Sequence, residues 1–408
     1  IPPNDTRIRN KDCMAFTRSS TVCGSNSSSL LVDKATHPCE QINSITSFID
    51  ASMVYGSSEN ISNRLRESGT GRLSMGVESI PGKRFLPFVT DPVVECMQPL
   101  YSAGTSGSVP CFLAGDTRVN EHIALTSMHT LFYREHNRIA DKLAELNPHW
   151  SHEKTYQEAR KILGAEWQVI VYNHYIPNIV GPSGLQQLRQ YEGYDSSVNP
   201  GIVNSFATAA YRFGHSQIMP IFPRFDENWE EISNGHIPLF QAFSSPFRLV
   251  QEGGIDPLIR GLISTPVKLR DAQQVLTTEV TERLFEESND IGLDLGALNI
   301  QRGRDHGIPG YNQFRSYCSL SAAETFNDLA AEIPDQEVRD KLQTLYGHPD
   351  NIDLIVGGML EEVEEGGQLG PTFRCIIMDQ FKRLRDGDRF WYQNPGGKSF
   401  QLVYLKLV

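Results

Sequence analysis

GDTRVNEHIALTSMHTLFYREHNRIADKLAEL, residues Gly115–Leu146, is the stretch on which the fold turns. It opens with a charged turn, Asp116, Arg118 and Glu121, and continues in a helical pattern to Asn147-Pro148, where proline stops it. Met128, Leu131, Phe132, Ile139, Leu143 and Leu146 recur at helical spacings, which predicts one stripe facing a core. Arg118 and Glu121 are three residues apart and fall on one side of the first turn. An arginine and a carboxylate held at the mouth of a buried helix suit work on an anionic or peroxidic group. The alternative is a carboxylate favouring the helix N-terminus, with a surface arginine beside it.

Composition bounds what surrounds this helix. The chain has 408 residues and a net charge of −12, which argues against a nucleic-acid partner. No stretch is long and apolar enough for a membrane span. Residue 1 is Ile rather than Met, so the sequence reads as a processed product or a piece of a longer chain. Its lack of a signal peptide therefore carries no information about secretion. The seven cysteines, Cys13, Cys23, Cys39, Cys96, Cys111, Cys318 and Cys375, contain no CxxC pair. Their odd number leaves at least one thiol to stay free or to pair outside the chain, so a disulfide-linked oligomer is one expected partner state. Sequons at Asn4, Asn26 and Asn60 crowd the same cysteine-rich beginning. Together these point to an oxidising compartment, extracellular or secretory.

Residues 1–45 read as loop. In Thr46-Ser47-Phe48-Ile49-Asp50-Ala51-Ser52, the alternate positions Thr46, Phe48, Asp50 and Ser52 point one way if the segment is extended. Two hydroxyls, a carboxylate and a backbone carbonyl are the hard oxygen donors that Ca²⁺ takes. One local carboxylate is too few for a tight site, and a capped turn entering the helix around Arg64 explains the same residues. Cys96 and Cys111 bracket a Gly/Ser-rich loop; joining them would close about 15 residues and stabilise by roughly 3 kcal/mol. Ser151 is a candidate N-cap for a second long helix to about Tyr175, with Ile162, Trp167, Ile170 and Val171 on its apolar face.

Asn199-Pro200 starts a predicted helix through Gly214 whose core stripe is Ile202, Phe206, Ala209 and Phe213. His215 lies off that stripe, with Thr208 and Tyr211, and Arg212 precedes it by three. Such a helix can bury one side and offer Arg and His to a site on the other. A lone histidine with an ordinary structural role fits as well. In EGGIDPLIRGL, Asp256 is the expected N-cap and Pro257 the first helical residue. Helical patterns follow near 276–288, 292–303, 321–332, 335–346 and 370–385. Within 292–303, Leu295 and Leu298 face inward while Asn299 and Arg302 share another face; Asn299 could accept a proton from a histidine nitrogen and Arg302 could hold a carboxylate. Strand signals are few and short, and the reading is mainly α: one large helical domain, 1–408.

Some chemistries lose support. His129 and His136 are seven apart, about 10 Å along a helix, and cannot share one metal. There is no HExxH, no GxSxG and no P-loop.

The motifs LAGDTRVNE, LTSMHTLFYREHNRIA, YRFGHS, EGGIDPLIRGL, LNIQRGRDHGIPGYN and FKRLRDGDRFWY together resemble the animal haem peroxidases, in the order in which that family carries them. The resemblance runs from Ile1 to about Gly396. It implies a haem b cofactor ligated by His215, with Asn299 bonded to the far ring nitrogen. It implies that Arg118 polarises the peroxide O–O bond, that Glu121 forms an ester to the haem, and that Arg212 and Arg302 lie near the propionates. His122 follows Glu121 where myeloperoxidase has a methionine, so a sulfonium link to haem is not expected. Thr46, Phe48, Asp50 and Ser52 match four Ca²⁺ ligands. The implied disulfides are Cys96–Cys111 and Cys318–Cys375. The implied reaction uses H₂O₂ to form a ferryl haem that oxidises halide, thiocyanate or small phenolic donors.

Departures accompany the match. The family's distal histidine, its neighbouring glutamine, a second ester-forming aspartate and a further calcium ligand would precede Ile1. GGKSFQLVYLKLV departs from the family pattern after Gly396, so the expected domain is incomplete at both ends. The competing expectation is a catalytically incompetent relative that serves as an interaction module among matrix proteins.

Overall fold

The helix read from the deciding stretch forms, and its ends have identifiable causes. In the computed structural model, which describes residues 16–21, 40–90, 96, 109–286 and 291–394, helix α1 spans Ile123–Leu146. His122 caps it, its Nδ1 accepting from the Leu125 N–H at 3.2 Å. Burial pushes that imidazole down to about 4, which keeps it neutral and able to accept. At the other end the Asn147 N–H donates to Leu143 O, and Pro148 prevents continuation.

Helix α2, His152–Ile170, is capped by Ser151 Oγ as expected. It continues through a π turn, Val171–Tyr175, into α3, Ile176–Leu188. Helices α1 and α2 pack together, with Phe132 edge-on to Trp167 at 4.9 Å. A short helix α4, Asn204–Thr208, leads into a 3₁₀ segment, Ala210–Gln217. Then come α5, Asp256–Ser264, α6, Leu295–Asp305, and α7, Pro371–Asp386. The described strands form two small antiparallel pairs, Glu78–Ile80 with Lys83–Arg84 and Ile221–Phe222 with Ile237–Pro238. The mainly α expectation is met.

Two apolar clusters are filled. One gathers Tyr55, Phe85, Phe112, Tyr133, Leu163 and Leu258; the other gathers Ile176, Phe213, Tyr311, Phe373, Ile377 and Trp391. Trp167 and Tyr392 pack against both, so the α2–π–α3 rod runs from one cluster to the other. The disulfides Cys96–Cys111 and Cys318–Cys375 are both present. Among the described residues no helix is long and apolar enough to cross a membrane. Cys13, Cys23, Cys39, the sequons at Asn4 and Asn26, and the divergent end from 395 lie outside the described residues. Asn60 is exposed in the helix Glu59–Leu65, which Ser58 caps.

Several expectations need correction. Met128, Leu131 and Leu146 on α1 are exposed, although Ile139 is buried and Phe132 and Leu143 pack on the core. The buried face is instead built around Thr126, Ser127, Thr130, Tyr133, His136 and Asn137. The Thr126, Ser127 and Thr130 hydroxyls donate to Val119 O, Ile123 O and Thr126 O, so these three are buried with their donors paired, whereas the Tyr133 hydroxyl has no partner among the described residues. Asn137 pairs both ways with the Leu73 backbone, and His136 bridges the Tyr55 hydroxyl and Gly71 O. The predicted helix from Asn199 begins only at Asn204, after Val203, whose N–H donates to Gln380 Oε1. Asp256 is the first helical residue and Ile255 the cap. The pattern at 276–288 yields only Thr278–Thr281, and that at 321–332 only a 3₁₀ turn, Phe326–Leu329.

Candidate functional site

His215 is placed by the shift from α4 into the 3₁₀ segment. Phe206, Ala209 and Phe213 anchor that segment in the core, as their spacing predicts. The opposite side carries Tyr211, Arg212 and His215 into a cavity. Across from them α6 starts at its cap, Asp294 Oδ1, which accepts from the Ala297 N–H. It delivers Asn299, 2 % exposed, with Nδ2 2.9 Å from His215 Nδ1. The side of the amide that meets the histidine differs from expectation. Arg212 Nη1 donates to Asn299 Oδ1 at 2.6 Å, and an arginine can only donate, so the amide oxygen faces Arg212 and the NH₂ faces His215. Burial, with the Arg212 charge adding to it, pushes His215 down to about 4. The ring is therefore neutral at ordinary pH. With Nδ1 accepting from Asn299, the neutral ring carries its proton on Nε2.

The opposing turn is held differently. Asp116 Oδ1 accepts the Arg118 N–H and Nε, while Oδ2 accepts Nη2 at 2.7 Å. This charge-assisted fork holds the Asp116 carboxyl below the usual range. The partner of Arg118 is thus Asp116 rather than Glu121. Asn120 pairs both ways with the Phe112 backbone, next to the Cys96–Cys111 bridge, and the Ser244 N–H donates to Asn120 O. Gly115 abuts the Ser52–Gly56 turn; a Cβ there would lie 2.3 Å from Gly56 N and 2.4 Å from Ser52 O. Glu121 exposes much of its surface, yet the surrounding walls displace enough water to push its carboxyl up.

Glu121, His215 and Phe285 line two adjoining cavities. One, about 450 Å³, is mostly apolar, walled by Ile218, Phe222, Leu239, Phe243, Val280 and Leu284. The other, about 720 Å³, is polar and carries Arg118, Asn120, Tyr211 and Arg212. An apolar bed with a neutral imidazole, a carboxylate and two arginines at its edges fits a flat, apolar ligand with anionic substituents. Arg302 is not on the cavity wall. It donates to Thr17 O and Ser19 Oγ, pairs with Asp305 at 3.0 Å and stacks over Phe16. From there its charge still lowers the Arg212 pKa, behind burial as the main cause.

Residues 47–50 are bends and Ser52 is already helical, so the extended alternation does not occur. Ala51 adopts a left-handed φ of 57° and Ser52 opens the helical turn Ser52–Tyr55. Thr46 Oγ1 accepts the Phe48 N–H, and Asp50 Oδ1 accepts the Ser52 N–H at 3.0 Å. Burial pushes the Asp50 carboxyl up. Among the described residues, no three His, Cys, Asp or Glu side chains gather as a metal-binding group.

Tyr211 lines the cavity from the face it was expected to share with His215, whereas sequence reasoning missed Phe285 as a cavity wall and the clamp on Arg118. Asp116 two residues before Arg118 is the Asx-turn signal that could have found the clamp. Nothing local marks Phe285, which arrives from a distant loop.

The family model described as animal haem peroxidase matches residues 1–406. The mouse peroxidasin homolog is 54 % identical over 410 residues, covering 100 % of this chain and 28 % of its own length. Pig thyroid peroxidase is 46 % identical over 403 residues, covering 97 % of this chain and 43 % of its own. The chain therefore spans between a quarter and a half of these relatives. Among solved structures, peroxidase A from Dictyostelium discoideum superposes with a TM-score of 0.75 at 36 % identity, covering 88 % of this chain and 66 % of that one. Rice fatty acid alpha-dioxygenase, at 18 % identity and a TM-score of 0.67 over 92 % of this chain and 62 % of its own, shares the fold.

Proposed function

This chain belongs to the animal haem peroxidase family, and from that premise we propose that it forms the haem-holding body of a peroxidase that uses H₂O₂. The observation that carries the reading is the His215–Asn299 pair at the edge of an apolar cavity. In this assignment His215 would hold the haem iron, the apolar walls would bury the ring, and Arg212, with Arg302 behind it, would offset the negative charge of its carboxylates. Glu121 is the carboxylate placed for an ester link. Bound haem supplies the redox chemistry by which peroxide oxidises halide, thiocyanate or a small phenol.

The residues of the chain do the positioning. Asn299 fixes the plane of the imidazole. For Nε2 to hold the haem iron, the ring proton would sit on Nδ1, where Asn299 would accept it through Oδ1. Arg118, held by Asp116, presents positive charge where a peroxide oxygen gains negative charge. The Thr46 and Ser52 hydroxyls, Phe48 carbonyl and Asp50 carboxylate are assigned to Ca²⁺, with weak affinity because Asp50 is the sole carboxylate. Two disulfides and the exposed sequon at Asn60 support an extracellular or secretory location. Matrix proteins or a disulfide-linked second copy are the partners suited to that setting.

Titrating the purified chain with haem and recording the Soret band tests the assignment. A band typical of histidine-ligated iron is expected, and its loss in His215→Ala. An unchanged spectrum in His215→Ala would remove the axial assignment and the placing of every other residue around it.

A further inference from the structure

The π turn Val171–Tyr175 joins α2 to α3, which itself kinks at Gly181 before Pro182. Such turns widen a helix locally, re-aim side chains, and are often found at functional sites. Here the turn buries Tyr172 against Trp391, at 4.6 Å between ring centroids, and swings Tyr175 outward. Tyr175 meets Tyr211 edge-on, with centroids 6.5 Å apart. Tyr211, 40 % exposed, lines the polar cavity beside Arg212 and His215, whereas Tyr175, 36 % exposed, does not line it. Two tyrosine rings in edge contact thus lead from the cavity wall to the outside. Phenols are among the side chains most readily oxidised by one electron, and rings this close exchange electrons readily.

We propose that Tyr175 is a surface oxidation site, joined to the cavity through Tyr211, for one-electron donors carried on proteins too large to enter. This rests on the peroxidase reading above. One electron passes from Tyr175 through Tyr211 to the peroxide-oxidised haem, and the phenol proton of Tyr175 goes to water. The docked donor then returns one electron and solvent returns the proton, restoring Tyr175. Two such transfers, with two protons from solvent, reduce one H₂O₂ to two waters. The net charge of −12 favours donors with a basic face.

The test uses the haem-loaded protein with every segment of its natural chain, ferrocytochrome c as the bulky donor and iodide as the small one. Peroxide with a nitroso spin trap should label Tyr175, as read by peptide mass mapping. The label should vanish in Tyr175→Phe and in Tyr211→Phe, both of which keep the ring. Tyr175→Phe should slow ferrocytochrome c oxidation by about tenfold or more, which is at least about 1.4 kcal/mol in barrier, and leave iodide oxidation unchanged. Iodide oxidation with no label on Tyr175, a label on another tyrosine instead, or an unaffected rate with ferrocytochrome c would each overturn the relay alone. Failure of the wild-type protein to oxidise iodide would overturn the peroxidase reading and the relay with it.

Discussion

The two sides of the cavity are built on different principles. The His215 side is wired through the interior: Asn299 is 2 % exposed, bonded to His215 on one side and Arg212 on the other, and carried by a capped helix. The Arg118 side is a 3₁₀ turn at the surface, where the arginine side chain is 65 % exposed and one carboxylate holds it. A buried hydrogen-bonded set tolerates little change, because removing one member strands another without solvent. An exposed ion pair contributes little to stability, so that side is free to move with what binds.

The largest expected effect is on the wired side. His215→Ala should abolish stable haem uptake while leaving the far-ultraviolet circular dichroism intact; retained uptake would mean that the interior wiring serves packing alone. Next, Arg118→Ala in a haem-loaded protein should keep the Soret band and slow the first step with peroxide by about 10². A stopped-flow rate equal to wild type would show that the surface turn does no chemistry.

A third test concerns protons in the interior. Burial holds His136 at about 4, below its usual 6.5, so the folded state favours the neutral ring. That contribution is complete above pH 6.5 and declines as pH falls toward 4, by up to about 1.4 kcal/mol per pH unit. His136→Gln lacks it, so the stability gap between wild type and variant in urea melts should narrow on acidification over that window. A constant gap would place water beside His136. The smallest effect belongs to the surface pair: Asp116→Asn should lower stability by under about 1 kcal/mol and raise the salt sensitivity of peroxide reduction. A larger loss would move Asp116 to the wired class.

The comparison also explains what was legible in the sequence. Long helices with caps, Ser151 and the Asn147-Pro148 stop, read correctly because their signals are local. The Phe206, Ala209 and Phe213 stripe read correctly for the same reason. The face of α1 read poorly, since hydrophobicity pointed to Met128 and Leu131 while the molecule buries Ser127, Thr130 and Asn137. Those polar residues go inside because α1 carbonyls and the Leu73 backbone satisfy them, and spacing does not reveal partners about 65 residues away. The amide orientation of Asn299 was hidden likewise, because it depends on Arg212 from another element.

Gly115 carries a consequence for variation. Its alpha carbon seats against the Ser52–Gly56 backbone with no room for a methyl group. Two stretches some sixty residues apart in the chain therefore behave as one machined joint. A bulkier residue at 115, or a sideways shift of the Ser52–Gly56 turn, displaces the other half by a comparable distance. Substitutions around Asp50 should thus register at Arg118 as misalignment, even where every side chain on the cavity wall is unchanged.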